Sequence, residues 1–157
     1  MNLRTISMAA VAAFSISGAA AAADLGLDPI MTSPTSSYDW EGLYAGVNGG
    51  FWSGEFFIGG LIGNNFVFDN FLFGIEGSAE LVSAPAVTGD VTGRAGIILD
   101  DLVLYANGGL GISSPGGVYA IMGVGAEFAV NDSSSVAVSL ESTGPGIRFE
   151  GSYRFKL

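Results

Sequence analysis

The chain has 157 residues, with fifteen Asp/Glu against five Lys/Arg and with neither histidine nor cysteine. That length holds one ordinary domain, and the acidity opposes a nucleic-acid partner through repulsion from phosphate. Without cysteine and histidine there is no disulfide, no thiol nucleophile, no Ser–His triad and none of the usual zinc ligands, so stability and any chemistry have to come from elsewhere.

Residues 1–23 carry Arg4 near the start, an apolar stretch from Ile6 to Ile16, and the small residues Ala21, Ala22 and Ala23 at the end. This is the layout of a secretory signal peptide cleaved after Ala23. Its removal leaves four Lys/Arg against fifteen Asp/Glu, a net charge near −11. Residues 24–39, with two prolines and many Ser/Thr, read as a flexible periplasmic lead, and residues 40–157 as the folded body.

From Trp40 onward no stretch keeps a helical period, and 25 glycines argue against helices independently. Period two recurs instead. Phe71, Phe73, Ile75 and Leu81 alternate with Gly74, Glu76, Ser78 and Glu80; Val87, Val91, Ala95, Ile97 and Leu99 alternate with Thr88, Asp90, Thr92 and Arg94. Met122, Val124, Ala126, Phe128 and Val130 stand opposite Gly123, Gly125 and Glu127, and Val136, Val138 and Leu140 opposite Ser139 and Glu141. The last twelve residues set Ile147, Phe149, Tyr153, Phe155 and Leu157 against Arg148, Glu150, Ser152, Arg154 and Lys156. Successive strand side chains point to opposite faces, so each segment has one apolar and one polar face.

Turn residues punctuate these runs and predict eight strands, near Glu41–Trp52, Phe56–Phe68, Phe71–Val82, Thr88–Leu99, Leu102–Ser113, Val118–Val130, Ser134–Ser142 and Ile147–Phe155. Every connection is short, so sequence neighbours pair antiparallel as an up-and-down meander. An even number of strands of this length suits a bilayer, where closure removes the edges that lipid does not tolerate. The expected fold is therefore all-β: an eight-stranded antiparallel up-and-down transmembrane β-barrel. Its lumen would hold an ionic core of Glu76, Glu80, Asp90, Arg94, Glu127, Glu141, Arg148, Glu150 and Arg154, with Glu76, Glu127 and Glu150 as the arginines' partners. The alternative is a soluble exported barrel with those charges in water and a hydrophobic ligand inside.

Aromatic residues fall near the strand ends. Tyr38, Trp40, Phe68, Phe71, Tyr153 and Phe155 would form one girdle, and Phe51, Trp52, Phe56 and Phe57 the other.

Nothing here forms a catalytic, cofactor or metal site. Glu76 and Glu80 would share one strand face and could act as acid and base, but lumen pairing is favoured. Ser133, Ser134 and Ser135 sit in a predicted turn without a base. The glycine-rich stretches near Gly109, Gly111, Gly123 and Gly125 lack a Walker lysine and do not lead into a helix. The same glycines, with Gly46 and Gly50, would suit a narrow channel for small solutes.

The stretch "YDWEGLYAGVNGGFW", followed in order by "NFLFGIEGSAE", "TGRAGIILDDLVLYANGGLGIS", "GVGAEFAVNDSSSVAVSLE" and "IRFEGSYRF", resembles the small outer-membrane β-barrel family of Gram-negative bacteria, porin-like and opacity-protein-like, especially its alphaproteobacterial members. The resemblance implies an outer-membrane location in contact with lipid and lipopolysaccharide. It also implies that the closing strand, through Phe149, Tyr153, Phe155 and Leu157, presents an aromatic signal to the barrel-insertion machinery. The expected role is structural support of the envelope by a monomer whose lumen is largely filled.

Overall fold

The computed structural model describes residues 38–83, 86–114 and 116–157. The expected signal peptide and the lead up to residue 37 lie outside them. Eight strands run β1 Gly42–Trp52, β2 Glu55–Phe68, β3 Phe71–Val82, β4 Ala86–Leu99, β5 Leu102–Ser114, β6 Gly117–Asn131, β7 Ser134–Thr143 and β8 Gly146–Lys156. Each expected strand is present, with ends shifted by at most two residues. Every strand pairs antiparallel with its sequence neighbour, and β1 pairs with β8, from Tyr44 opposite Lys156 to Trp52 opposite Arg148, to close the barrel.

The turns follow local chemistry. Ser53 and Gly54 join β1 to β2 with φ of 52° and 92°. Two successive positive φ values match the right-handed twist of the flanking strands, and glycine adopts the second without a Cβ clash. Asp69 and Asp100 also take positive φ, at 54° and 55°, a conformation that Asp tolerates better than most residues.

One irregularity breaks the period of β6. Ala129 of β6 faces Ser135 and Asn131 faces Ser134, so Val130 is an extra residue on its strand. Such a bulge interrupts the alternation of β6, where Val130 and Asn131 are both exposed; on β7 Ser135 faces the interior, while Ser134, the register partner of the exposed Phe155, is buried on the outer side. Tyr153 Oη donates to Ser134 Oγ at 2.9 Å, and Ser135 Oγ donates to Glu127 at 2.6 Å.

The faces are inverted relative to a water-soluble protein. Thirty-one large apolar side chains, among them Leu43, Ile62, Phe73, Val91, Leu110, Val124, Leu140 and Phe149, are exposed on the described residues. Sixteen polar or charged residues are buried. A soluble domain leaves few charges buried and rarely exposes a continuous apolar surface of this extent.

Candidate functional site: the barrel interior

The interior is layered along the barrel axis. At the end that carries the chain terminus and the turns at residues 69–70 and 100–101, Tyr38, Trp40, Leu72, Ile98, Val103 and Tyr105 form an apolar cluster. At the far end Trp52, Phe57, Tyr119 and Ile121 form a second. Between them lie all nine charged residues predicted for the lumen.

Arg94 and Arg154 share Glu127. Each guanidinium places an Nη1 at 2.5 Å from Glu127 Oε2, and Arg154 Nη2 lies 2.9 Å from Glu76. Asn65 Oδ1 accepts from Arg94 Nε and Nη2 at 3.1 and 2.9 Å, and Tyr44 Oη donates to Glu76 at 2.8 Å. The Tyr44 ring lies under both guanidinia, 5.1 Å from Arg94 Cζ and 5.5 Å from Arg154 Cζ. Two positive and two negative side chains balance here.

Arg148 is surrounded by four carboxylates. Its Nη2 donates to Glu80 and to Glu150, its Nη1 lies 3.0 Å from Asp90, and its Nε lies 3.6 Å from Glu141. Neutral donors supply the remaining bonds: Asn48 Nδ2 donates to Glu80 at 2.8 Å and to Glu150 at 3.2 Å, Thr88 Oγ1 to Glu80 at 2.9 Å, and Asn107 Nδ2 to Glu141 at 2.6 Å. Phe57 covers the guanidinium, its ring 4.7 Å from Cζ. Buried charges persist only when paired and hydrogen-bonded in this way.

Of the carboxylates expected to partner the arginines, Glu76 meets Arg154, Glu127 meets both Arg94 and Arg154, and Glu150 meets Arg148. Glu80, Asp90 and Glu141 also join Arg148. The amides Asn48, Asn65 and Asn107 are not among the expected lumen residues, yet each sits at an inward position of the period-two pattern. Among the described residues no His, Cys, Asp or Glu group is arranged to hold a metal. Glu76 and Glu80, the possible acid–base pair, bond to different arginines. Ser135, expected in a turn without a base, lies in β7 and donates to Glu127, completely buried.

The expected aromatic girdles form only in part. Phe51, Phe56, Phe68, Phe71 and Phe155 are exposed on the outer face, but Tyr38, Trp40, Trp52 and Phe57 are buried and turn inward as end plugs. Trp52 Nε1 donates to Thr143 Oγ1 at 2.8 Å inside the far plug. Alternation along β1 already places Trp52 on the face of Tyr44 and Asn48; position near a rim does not decide facing.

The inward glycines give their space to neighbouring strands and rings. A Cβ at Gly111 would lie 2.3 Å from the Tyr119 ring, and one at Gly125 2.5 Å from the Tyr105 ring. At Gly46, Gly50 and Gly109 a Cβ would meet a neighbouring strand's carbonyl oxygen at 2.3, 2.0 and 2.1 Å, and at Gly123 it would meet Glu141 and Asn107. A central void of about 10 Å³, lined by Glu76, Arg94, Tyr105, Glu141, Glu150 and Arg154 among others, has room for about one water. Gly125→Val is expected to lower stability by about 1–3 kcal/mol through overpacking against Tyr105. Gly77→Val, whose outward Cβ would meet its nearest atom only at 3.7 Å, should stay within about 0.5 kcal/mol of the parent. Urea titrations in detergent micelles read both; equal losses would contradict the packing of tyrosine over glycine.

Outside the strands, Asp39 accepts a bond from Lys156 Nζ through its carboxylate, and its backbone carbonyl accepts another at 3.0 Å. The lysine holds the Asp39 carboxyl below its ordinary pKa. That contribution is present above the ordinary carboxylate range and is lost as pH falls through the lowered value.

No family model matches the chain, and no curated protein matches it. Among solved structures, one described as "De novo design of transmembrane beta-barrels" superposes with a TM-score of 0.62 at 14% identity, covering 74% of this chain and 96% of the designed one. At that identity the likeness concerns fold alone: the chain folds as a closed, eight-stranded, all-antiparallel β-barrel of the kind built in a designed transmembrane protein.

Proposed function

We propose that this protein is an integral β-barrel of the bacterial outer membrane with a structural role in the envelope, neither catalytic nor conducting. The observation that carries this reading is the inversion of faces. The outer wall is a continuous apolar surface from Leu43 on β1 round to Phe149 on β8, while every arginine among the described residues is buried inside. Hydrocarbon is the solvent that favours this arrangement, since charges find partners at the axis and the closed ladder leaves no edge unpaired.

Two features favour a structural role over a narrow channel. Apolar plugs cap both ends, and the void between the two ionic clusters is about 10 Å³. The soluble-barrel alternative needs an apolar ligand cavity, and the interior is filled by salt bridges instead. The ordered resemblance to the opacity-protein-like barrels supports the Gram-negative location, with lipid and lipopolysaccharide as surroundings. Phe149, Phe155 and Leu157, exposed on β8 and the chain end, suit recognition by the insertion machinery.

Fractionation of cells expressing the full chain tests this. The protein is expected in the outer-membrane fraction, resistant to high salt and alkaline carbonate and released by detergent. Release by buffer alone would overturn the reading.

A further inference from the structure

The two plugs differ in how they are built. At the far end Trp52, Phe57, Tyr119 and Ile121 belong to strands β1, β2 and β6, so none can leave without breaking the sheet. At the other end Tyr38 and Trp40 precede β1 and take no part in the ladder. Their rings stack edge to face, with centroids 4.5 Å apart, and both residues are buried in the mouth against Leu72, Ile98, Val103 and Tyr105.

This short segment is held by polar ties, one of them from the Tyr38 hydroxyl to Ser135. Trp40 Nε1 donates to the Asp100 carbonyl at 3.3 Å, Asn65 Nδ2 donates to the Trp40 carbonyl at 3.1 Å, and Lys156 bonds Asp39. The last tie is exposed, with 71% of the Asp39 side chain accessible, so salt screens it. Where the segment meets β1, Gly42 takes φ +112°, a conformation that other residues rarely adopt, and the Lys156 side chain passes over it. Asn65 also accepts from Arg94, so the segment is bonded to the amide that orients the inner cluster.

We propose that Tyr38, Asp39 and Trp40 form a displaceable stopper, hinged at Gly42 and latched by Lys156, that controls access of water to the Arg94–Glu127–Arg154 cluster from the end carrying the chain terminus. The far plug stays shut when the stopper leaves, so the device admits water to one compartment without opening a channel. The inference goes beyond the envelope role and does not depend on it.

Tryptophan quenching by acrylamide tests it in the full chain. There are two tryptophans, so Trp52→Phe leaves Trp40 as the reporter. Adding Lys156→Met, or raising NaCl to about 1 M, where the Debye length shrinks to about 3 Å, is expected to increase quenching about threefold or more while the barrel persists. Hydrogen exchange of the Trp40 indole N–H in the protein without Trp52→Phe gives the same reading independently of that variant's folding. Unchanged quenching and exchange under both conditions would overturn the stopper. So would a rise that appears only together with exchange of the β1 and β8 backbone amides, because the segment would then be part of the barrel's cooperative core.

Discussion

Replacing Arg148 with methionine is expected to destabilise the barrel by at least about 3–5 kcal/mol, the cost of leaving buried charges without their partner, and to prevent recovery of folded protein from membranes. The guanidinium lies within 4 Å of carboxylates from four strands: Glu80 of β3, Asp90 of β4, Glu141 of β7 and Glu150 of β8. Among the described residues no second cation contacts this set, so methionine, which fills a similar volume, would leave four carboxylates facing one another in a compartment capped at both ends. Arg94→Met should cost less, because Arg154 still binds Glu127. Urea midpoints in lipid vesicles, together with the yield of folded barrel, measure the difference. An Arg148→Met protein as stable as its parent would mean that the interior network does not hold the fold. The pair is coupled, so adding Glu80→Gln and Glu150→Gln to Arg148→Met should recover part of the loss.

The second large effect concerns the outer wall. Val124 lies at the middle of β6, opposite Ala106 and Leu140, and is 61% exposed, whereas Val118 lies near the strand's far end and is 73% exposed. In hydrocarbon an arginine at the midplane costs about 2–4 kcal/mol and one near the interface about 0–1. Val124→Arg is therefore expected to lower stability in vesicles several-fold more than Val118→Arg. In water both sites would tolerate arginine within about 0.5 kcal/mol. The comparison reads the surrounding solvent directly from two exposed positions of one strand. Equal, small losses at both sites would remove the membrane from the proposed function.

Together the two experiments separate what holds the barrel from inside and what holds it in place. The inner network links strands that are not neighbours, as Arg148 of β8 reaching Asp90 of β4 shows. It thereby ties the closed sheet across its own axis. The outer surface makes no such specific bonds, and its contribution depends on area and depth.

Strand number, chain direction and the facing of all nine interior charges were legible in the amino-acid order alone. The reason is that period two is a local property of the extended backbone, and Glu76, Asp90, Arg94 and Arg148 each fall on the polar parity of their own strand. Short turns such as Asp69-Asn70 and Asp100-Asp101 then force neighbours to pair. Which carboxylate meets which arginine was decided only by the closed barrel, because stagger accumulates over eight pairings and brings Asp90 and Glu80 across to Arg148. The seating of Tyr105 over its register partner Gly125 depends on how β5 and β6 are aligned, and the insertion of Tyr38 and Trp40 into the mouth on which strands face each other across the axis. Alternation within a segment carries no information about that distance.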